Sequence, residues 1–131
     1  MSTTYADVVE GVRAAIAAYA QALDDGRTDD VIATFCRDGV VEIPGMGTHQ
    51  GYDALRKAYE GWKPVRPQRH VVVNTLVTDW SDDEASATSD LIFLQQGDAG
   101  WTVPLVGRYE DTLRRDGETW RFLRRSTTWV R

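Results

Sequence analysis

Apolar residues recur at steps of three and four near the start of the chain, which is the spacing of one helical face. The pattern predicts a helix over residues 5–24, rich in alanine and stopped by Gly26. A second, shorter helix is predicted from residue 29 or 30 to residue 35, and a third over residues 52–62, where Pro64 follows.

The second half of the chain has the composition of strands. A short strand over residues 40–43 precedes a glycine-rich loop at 44–51, and four longer strands are predicted over 69–79, 85–96, 101–115 and 119–130. Helices followed by a run of strands are typical of an α+β domain. We therefore predict a cone-shaped, curved antiparallel sheet wrapped around the N-terminal helix, with about three helices packed on it and a small-ligand cavity inside.

Composition and charge narrow the function classes. The chain of 131 residues is expected to form one domain, residues 1–131. Its net charge of -5 argues against a nucleic-acid partner. The single cysteine, Cys36, suits a reducing compartment, and no apolar stretch reaches the roughly 20 residues that cross a bilayer. We expect a soluble cytoplasmic protein without a membrane partner.

His70 is the first candidate for chemistry, because a neutral imidazole transfers protons near pH 7. On a regular strand it shares one face with Val72, Asn74 and Leu76. The alternative is a histidine that merely satisfies a hydrogen bond at a strand end. Asn74 is open to two interpretations, a contact to His70 or a ligand, or the filling of a polar gap.

Asp24 and Asp25 lie at the end of the first predicted helix, where the macrodipole disfavours negative charge by about 0.3–1 kcal/mol. This position suggests that at least one of them has a partner elsewhere, although both could simply be solvated. Tyr19 lies on the apolar stripe of the same helix, so packing and catalysis are both open. The two histidines and the absence of a carboxylate–histidine cluster predict no metal site. The glycine-rich loop lacks the lysine and spacing of a nucleotide site.

Several segments, in this order and spacing, carry a family resemblance: 19–26, 35–39, Arg69-His70 with Asn74, 107–111 and 117–122. The chain resembles the SnoaL-like branch of the nuclear transport factor 2-like superfamily. This branch includes scytalone dehydratase, bile-acid dehydratase and hexachlorocyclohexane dehydrochlorinase. The resemblance spans nearly the whole chain and implies a cone-shaped α+β barrel.

The resemblance also implies a set of site residues. In the dehydratase group an aspartate ending the first helix pairs with a histidine on a long strand, and Asp24 and His70 occupy these positions. Tyr19 matches a tyrosine of several dehydratases, and Arg125 matches a cavity arginine, with Arg124 left open as the alternative. Strand alternation favours Arg125, on one face with Leu123, Thr127 and Trp129. The predicted catalytic residues are thus His70, Asp24, Tyr19 and Arg125, and the predicted substrate-binding residues are Asn74, Tyr109 and Trp129.

The function expected is a cofactor-free lyase that eliminates water or a similar group from a small hydrophobic substrate, cyclic or open-chain. Ketosteroid isomerase chemistry is disfavoured because Ile43 stands where a carboxylate is needed. An epoxide hydrolase cluster of Asp90, Arg108 and Asp111 is not supported by the strand registers. A polyketide cyclase or isomerase, and a non-catalytic ligand-binding or assembly subunit, remain alternatives.

A homodimer or homotrimer is also expected. The argument is that apolar side chains on the outer face of the sheet would be exposed in a monomer, namely Leu91, Phe93, Trp101 and Trp120.

Overall fold

Three helices and six strands make up the fold in the computed structural model, which describes residues 3–131. In chain order the elements are α1 (Tyr5–Asp24), α2 (Thr28–Ala33), β1 (Phe35–Ile43), β2 (Gly47–Gln50), α3 (Tyr52–Gly61), β3 (Gln68–Trp80), β4 (Glu84–Gly97), β5 (Gly100–Asp116) and β6 (Thr119–Trp129). The strands form one curved sheet in the order β2-β1-β6-β5-β4-β3. The predicted α+β class, with a curved sheet around a long N-terminal helix and three helices in all, is confirmed.

Several features of the sheet differ from the prediction, and β1 begins at Phe35 rather than at residue 40. β1 and β6 run parallel, so the sheet is mixed rather than antiparallel, and the sheet ends at β2 and β3 without closing into a barrel. The predicted glycine-rich loop contains β2, because a tight turn with a Met46 N–H to Ile43 carbonyl bond of 2.9 Å folds the chain back onto β1.

Both ends of α1 are specified by local sequence. Thr4 and Asp7 form a capping box, in which the Asp7 N–H donates to Thr4 Oγ1 at 3.1 Å. At the other end Gly26 has a φ of +71°, and the N–H groups of Gly26 and Arg27 donate to the carbonyls of Leu23 and Ala22. This C-terminal motif makes Asp24 the last helical residue and fixes its place over the sheet.

The core lies between α1 and the inner face of the sheet, where α1 packs against β3 and β6. Val8, Val12 and Ile16 are buried on the helix face. Gly11 has a steric role here, since a Cβ atom at this position would lie 2.1 Å from Cδ1 of Trp120. The close approach of helix and sheet therefore depends on a residue without a side chain.

The strand pairing shifts register at several points of the sheet, and two of these bulges, one in β3 and one in β6, change which candidate side chains face inward. In β3, Asn74 and Thr75 together oppose Ser89, and Asn74 has a φ of +55°. In β6, Arg124 pairs with Thr112 of β5 and Phe122 pairs with Leu113. Leu123, which lies between them, therefore has no partner on β5. Each bulge shifts the inside–outside alternation by one residue.

The apolar side chains that are exposed differ from those on which the oligomer was predicted. Of the four residues in that argument only Trp101 is exposed, because Leu91 and Trp120 are buried and Phe93 is half-buried. Other apolar side chains of β5 are exposed instead, namely Val103, Leu105 and Val106. The oligomer therefore stays a prediction, and the exposed apolar side chains of β5 are now the observation that supports it. Within residues 3–131, no helix is both long and apolar enough to span a membrane.

Candidate active site

A cavity of about 180 Å³ lies between α1, α3 and the inner face of the sheet. Its walls are mostly apolar and include Leu23, Trp62, Leu91 and Phe93. The mouth is marked by Met46 and Leu105, which line the cavity and are 42% and 41% exposed. An apolar cavity with a few polar groups on its wall is the usual form of a small-molecule site.

Asp24 and His70 meet at the wall of this cavity. The Nδ1 atom of His70 lies 2.6 Å from Oδ1 of Asp24, and the two side chains are 14% and 5% exposed. The carboxylate also accepts the backbone N–H of His70 at 2.8 Å and Nε2 of Gln68 at 3.1 Å. The three donors come from the first residues of β3, so Asp24 ties the end of α1 to the start of that strand.

The surroundings of Asp24 favour its ionised form. Burial by itself would raise the pKa of this carboxyl group, but the hydrogen bonds from His70 and Gln68 outweigh burial and hold the pKa below its ordinary value. An ionised Asp24 accepts the Nδ1 proton of a neutral imidazole, which leaves Nε2 as the unprotonated nitrogen. The ring of His70 rests on Phe93, with 4.9 Å between ring centroids.

Tyr19 and Tyr59 form a second polar feature of the wall. Their hydroxyl groups are 2.7 Å apart, and both side chains are buried. Burial raises the pKa of both phenols, so both remain neutral hydrogen-bond donors. Sequence reasoning missed Tyr59, since its only signal is a place four residues after Leu55 on the buried face of α3, and that spacing predicts packing rather than chemistry.

Arg125 and Asp111 form an ion pair that is sealed inside the protein. Nε and Nη2 of Arg125 donate to the two carboxylate oxygens at 2.9 and 3.1 Å, and both side chains are 0% exposed. The guanidinium lies 3.6 Å from the ring centroid of Tyr109 and 4.5 Å from that of Tyr19. Arg125 therefore lies behind two residues of the cavity wall and is not itself part of that wall.

The charges of this pair depend on each other. Burial would lower the pKa of Arg125, but the Asp111 carboxylate more than compensates, and the guanidinium stays charged. Burial also raises the pKa of Asp111, which Arg125 offsets only in part. The neighbouring Arg124 is exposed and pairs with Glu42 at the surface. The bulge at Leu123 is what turns Arg125 inward, so Leu123 does not share the inner face as regular alternation would require.

The predicted substrate-binding residues divide into two groups. Tyr109 and Trp129 line the cavity, and the indole N–H of Trp129 donates to the Pro44 carbonyl at 3.3 Å. Asn74 is not brought to the cavity. The bulge in β3 directs its amide to the outer face, where Nδ2 donates to Asp90 at 2.9 Å beside Arg108. The regular alternation that grouped Asn74 with His70 ends at Val73.

Larger clefts occur on the outer surface, but their character is different. One of about 570 Å³ is lined by many charged residues, most of which already pair with each other. Its pairs are Arg56 with Asp29, Arg114 with Asp38 and Arg121 with Asp116. Across residues 3–131, no three His, Cys, Asp or Glu side chains are grouped as metal ligands would be. The smaller cavity is therefore the candidate active site.

The fold and the cavity define a SnoaL-like protein, and the chain belongs to the SnoaL-like domain family, which matches residues 4–126. No curated protein matches the sequence significantly.

Solved structures with the same fold include a protein of unknown function from Mycobacterium tuberculosis, with a TM-score of 0.87 and 23% identity over 94% of this chain and 72% of that one. A proposed scytalone dehydratase from Novosphingobium aromaticivorans has a TM-score of 0.83 and 22% identity over 94% of this chain and 84% of that one. From the same organism, the beta subunit of a proposed aromatic-ring-hydroxylating dioxygenase has a TM-score of 0.84 and 20% identity over 98% and 93%. At these identities the likeness establishes the fold.

Proposed function

We propose that the protein is a cofactor-free lyase that carries out a dehydratase-like elimination on a small hydrophobic substrate, with His70 as general base and Asp24 as its partner. The observation that carries the proposal is the 2.6 Å contact between Nδ1 of His70 and Asp24 at the wall of an apolar cavity. A carboxylate at one imidazole nitrogen fixes the tautomer and increases the basicity of the other nitrogen.

In the proposed reaction Nε2 of His70 takes a proton from a substrate carbon next to a carbonyl group. The C–H electron pair forms the new carbon–carbon double bond, and the leaving oxygen departs with its own bonding pair. The imidazolium returns a proton to this oxygen, which leaves as water, so the protein regains its starting state. Asp24 stabilises the imidazolium while it exists, and a tyrosine hydroxyl of the wall polarises the carbonyl group.

Tyr19 is the proposed donor to the substrate, with Tyr59 setting the direction of its hydroxyl group at 2.7 Å. Arg125 acts through the tyrosines, since Tyr109 and Tyr19 lie between its guanidinium and the cavity. In this proposal Arg125 is a positioning residue whose charge faces the backs of two aromatic rings.

The test is a screen of hydroxylated cyclic ketones for loss of water and for exchange of the proton next to the carbonyl in D₂O, followed by NMR. We expect His70→Gln and Asp24→Asn to reduce the rate about 10²–10⁴-fold. Asp25→Asn and His49→Gln are the matched controls, because Asp25 pairs with Arg27 at the surface and His49 bonds the Met46 carbonyl. Turnover that survives in His70→Gln, in a variant with unchanged thermal unfolding, would contradict the mechanism.

A second candidate function is a non-catalytic ligand-binding or assembly subunit. The observation in its favour is that Asp24 already accepts three hydrogen bonds from β3, which is a complete structural role. Exposed Trp101, Val103 and Val106 on β5 offer an apolar surface for a second copy. Sedimentation of the purified protein tests the homodimer or homotrimer, and a monomer at micromolar concentration would remove it.

A further inference from the structure

We infer that the cavity takes an uncharged compound whose enclosed part is a single ring and which carries an oxygen atom that accepts hydrogen bonds from the tyrosines of the wall. As a statement about the substrate of a lyase it rests on the function proposed above. As a statement about the ligand of the cavity it stands on the three observations that follow.

Size is the first observation. The cavity measures about 180 Å³. An apolar cavity of roughly 150 Å³ holds benzene, whereas pockets for drug-sized ligands measure roughly 300–1,000 Å³. The enclosed space is therefore closer to that of a single substituted ring than to that of a drug-sized ligand, and a four-ring steroid exceeds it. Substituents on a single ring can extend past Met46 and Leu105, whose exposed side chains mark the mouth.

Charge is the second observation. None of the described residues that line the cavity is Lys, Arg, Asp or Glu. The nearest guanidinium, that of Arg125, is 0% exposed, bound at two nitrogens by Asp111 and covered by Tyr19 and Tyr109. A carboxylate ligand would enter an apolar space without a free cation, and its nearest accessible charge would be the Asp24 carboxylate behind His70. Burying an unpaired charge in this way is strongly unfavourable.

Free hydrogen-bond donors are the third observation. The hydroxyls of Tyr19 and Tyr59 carry two protons, and their mutual bond uses one of them. The Tyr109 hydroxyl bonds no described residue. Among residues 3–131 the only fully buried polar side-chain atom without a partner is Nη1 of Arg125, so the Tyr109 hydroxyl is not fully buried and is open to the cavity. Burial raises the pKa of all three phenols and keeps their protons in place. The wall thus presents hydrogen-bond donors that have no acceptor in the protein, and an oxygen atom of a ligand would accept from them.

Binding of four inert probes tests the inference without reliance on turnover. Acetophenone has one ring and a carbonyl oxygen, benzoate is its charged analogue of similar size, ethylbenzene lacks the oxygen, and 2-acetonaphthone has a second ring. Dissociation constants come from NMR shift titrations at pH 8. We expect acetophenone to bind, and benzoate to bind about 10-fold more weakly or worse because its charge is not paired. 2-Acetonaphthone should bind more weakly than acetophenone despite its larger apolar surface.

Two substitutions assign the recognition to residues. Tyr109→Phe is expected to weaken acetophenone binding about 2- to 10-fold and to leave ethylbenzene unchanged, since only the hydrogen bond is lost. Leu91→Ala enlarges the cavity and should bring 2-acetonaphthone to the affinity of acetophenone or beyond. If Leu91→Ala does not fold, Leu105→Ala at the mouth serves the same purpose.

The inference is overturned if acetophenone does not bind, if benzoate or 2-acetonaphthone binds the wild type as tightly as acetophenone, or if Tyr109→Phe weakens both one-ring probes equally. The wild type separates this inference from the proposed lyase. Acetophenone binding by a wild type that eliminates water from none of the screened ketones contradicts the lyase alone, whereas wild-type turnover of an anionic substrate contradicts the ligand class alone.

Discussion

Two carboxylates of the interior, Asp24 and Asp111, each accept hydrogen bonds from a nitrogen-bearing side chain, and the two pairs differ in which atoms remain free to contact a ligand. Asp24 and His70 are joined at one ring nitrogen, and the His70 ring still forms part of the cavity wall. Asp111 and Arg125 are joined by two parallel hydrogen bonds and are sealed from the cavity by Tyr19 and Tyr109. Burial of a hydrogen-bonded carboxylate is therefore a poor guide to function. What separates the pairs is whether a reactive atom remains in contact with space that a ligand can occupy.

The largest effect is expected from breaking the sealed pair. Arg125→Met leaves the Asp111 carboxylate buried without a partner, and we expect the free energy of unfolding to fall by about 3–5 kcal/mol. Urea denaturation followed by circular dichroism measures this change. Arg124→Met is the control, since Arg124 is exposed, and it should change the free energy by about 0.5 kcal/mol or less.

The double variant Asp111→Leu with Arg125→Met sharpens this result. It removes both charges, and we expect it to recover most of the lost stability, because apolar side chains of similar volume often replace a buried pair at no cost. A double variant as unstable as Arg125→Met would mean that the packing of the Arg125 side chain between the aromatic rings, rather than its charge, stabilises the fold.

A smaller loss is expected at the cavity pair. Asp24→Asn places an amide nitrogen where the carboxylate accepts from His70 and Gln68, so at least one donor loses its acceptor. The expected loss is about 1–3 kcal/mol in the free energy of unfolding. Asp25→Asn, one residue further on and paired at the surface with Arg27, is expected to leave it within about 0.5 kcal/mol of the wild type. Equal losses in the two variants would argue against Asp24 as the tie between α1 and β3.

The pH dependence of the difference in unfolding free energy between the wild type and Asp24→Asn gives a further test. Burial alone would raise the pKa of Asp24, yet hydrogen bonds from His70 and Gln68 hold it below its ordinary value. The stabilisation from the ionised group is thus complete above about pH 3.9 and is lost as the pH falls through the lower, folded-state pKa. We expect the stability gap between wild type and Asp24→Asn not to narrow between pH 7 and about pH 4, and to narrow below it. A gap that narrows well above pH 4 would contradict the lowered pKa.

The smallest effect is expected for a third pair, at the outer face of the sheet. Arg108 donates to Asp90 through two nitrogens, as Arg125 does to Asp111, but its side chain is 59% exposed. We expect Arg108→Gln to leave the denaturation midpoint unchanged within error, because water screens and replaces the contact. A clear shift of the midpoint would mean that Asn74, which shares Asp90, depends on the pair to hold the bulge in β3.

Local signals predicted much of the fold. The apolar spacing and Gly26 predicted the bounds of α1 to the residue, and the turn residues predicted those of β3 to β6 to within one residue at each end. The parallel pairing of β1 with β6 was missed, because it joins strands distant in the chain and has no local signature. Tyr59 was missed as well, since it reaches the cavity only through the packing of α3 against the sheet.

The sequence by itself determined that α1 ends at Asp24, because the C-terminal motif around Gly26 needs only neighbouring residues, and that a histidine follows at the start of a long strand. Only the tertiary structure decided where the inside–outside alternation of the strands is interrupted. The bulges at Asn74 and Leu123 arise from how β3 and β6 pair with neighbouring strands, and each shifts the alternation by one residue, which removes Asn74 and Leu123 from the inner face on which regular alternation had placed them. The physical reason is that side-chain direction in a strand has a period of two, so one extra residue exchanges inside for outside, and strand pairing is a property of the folded sheet.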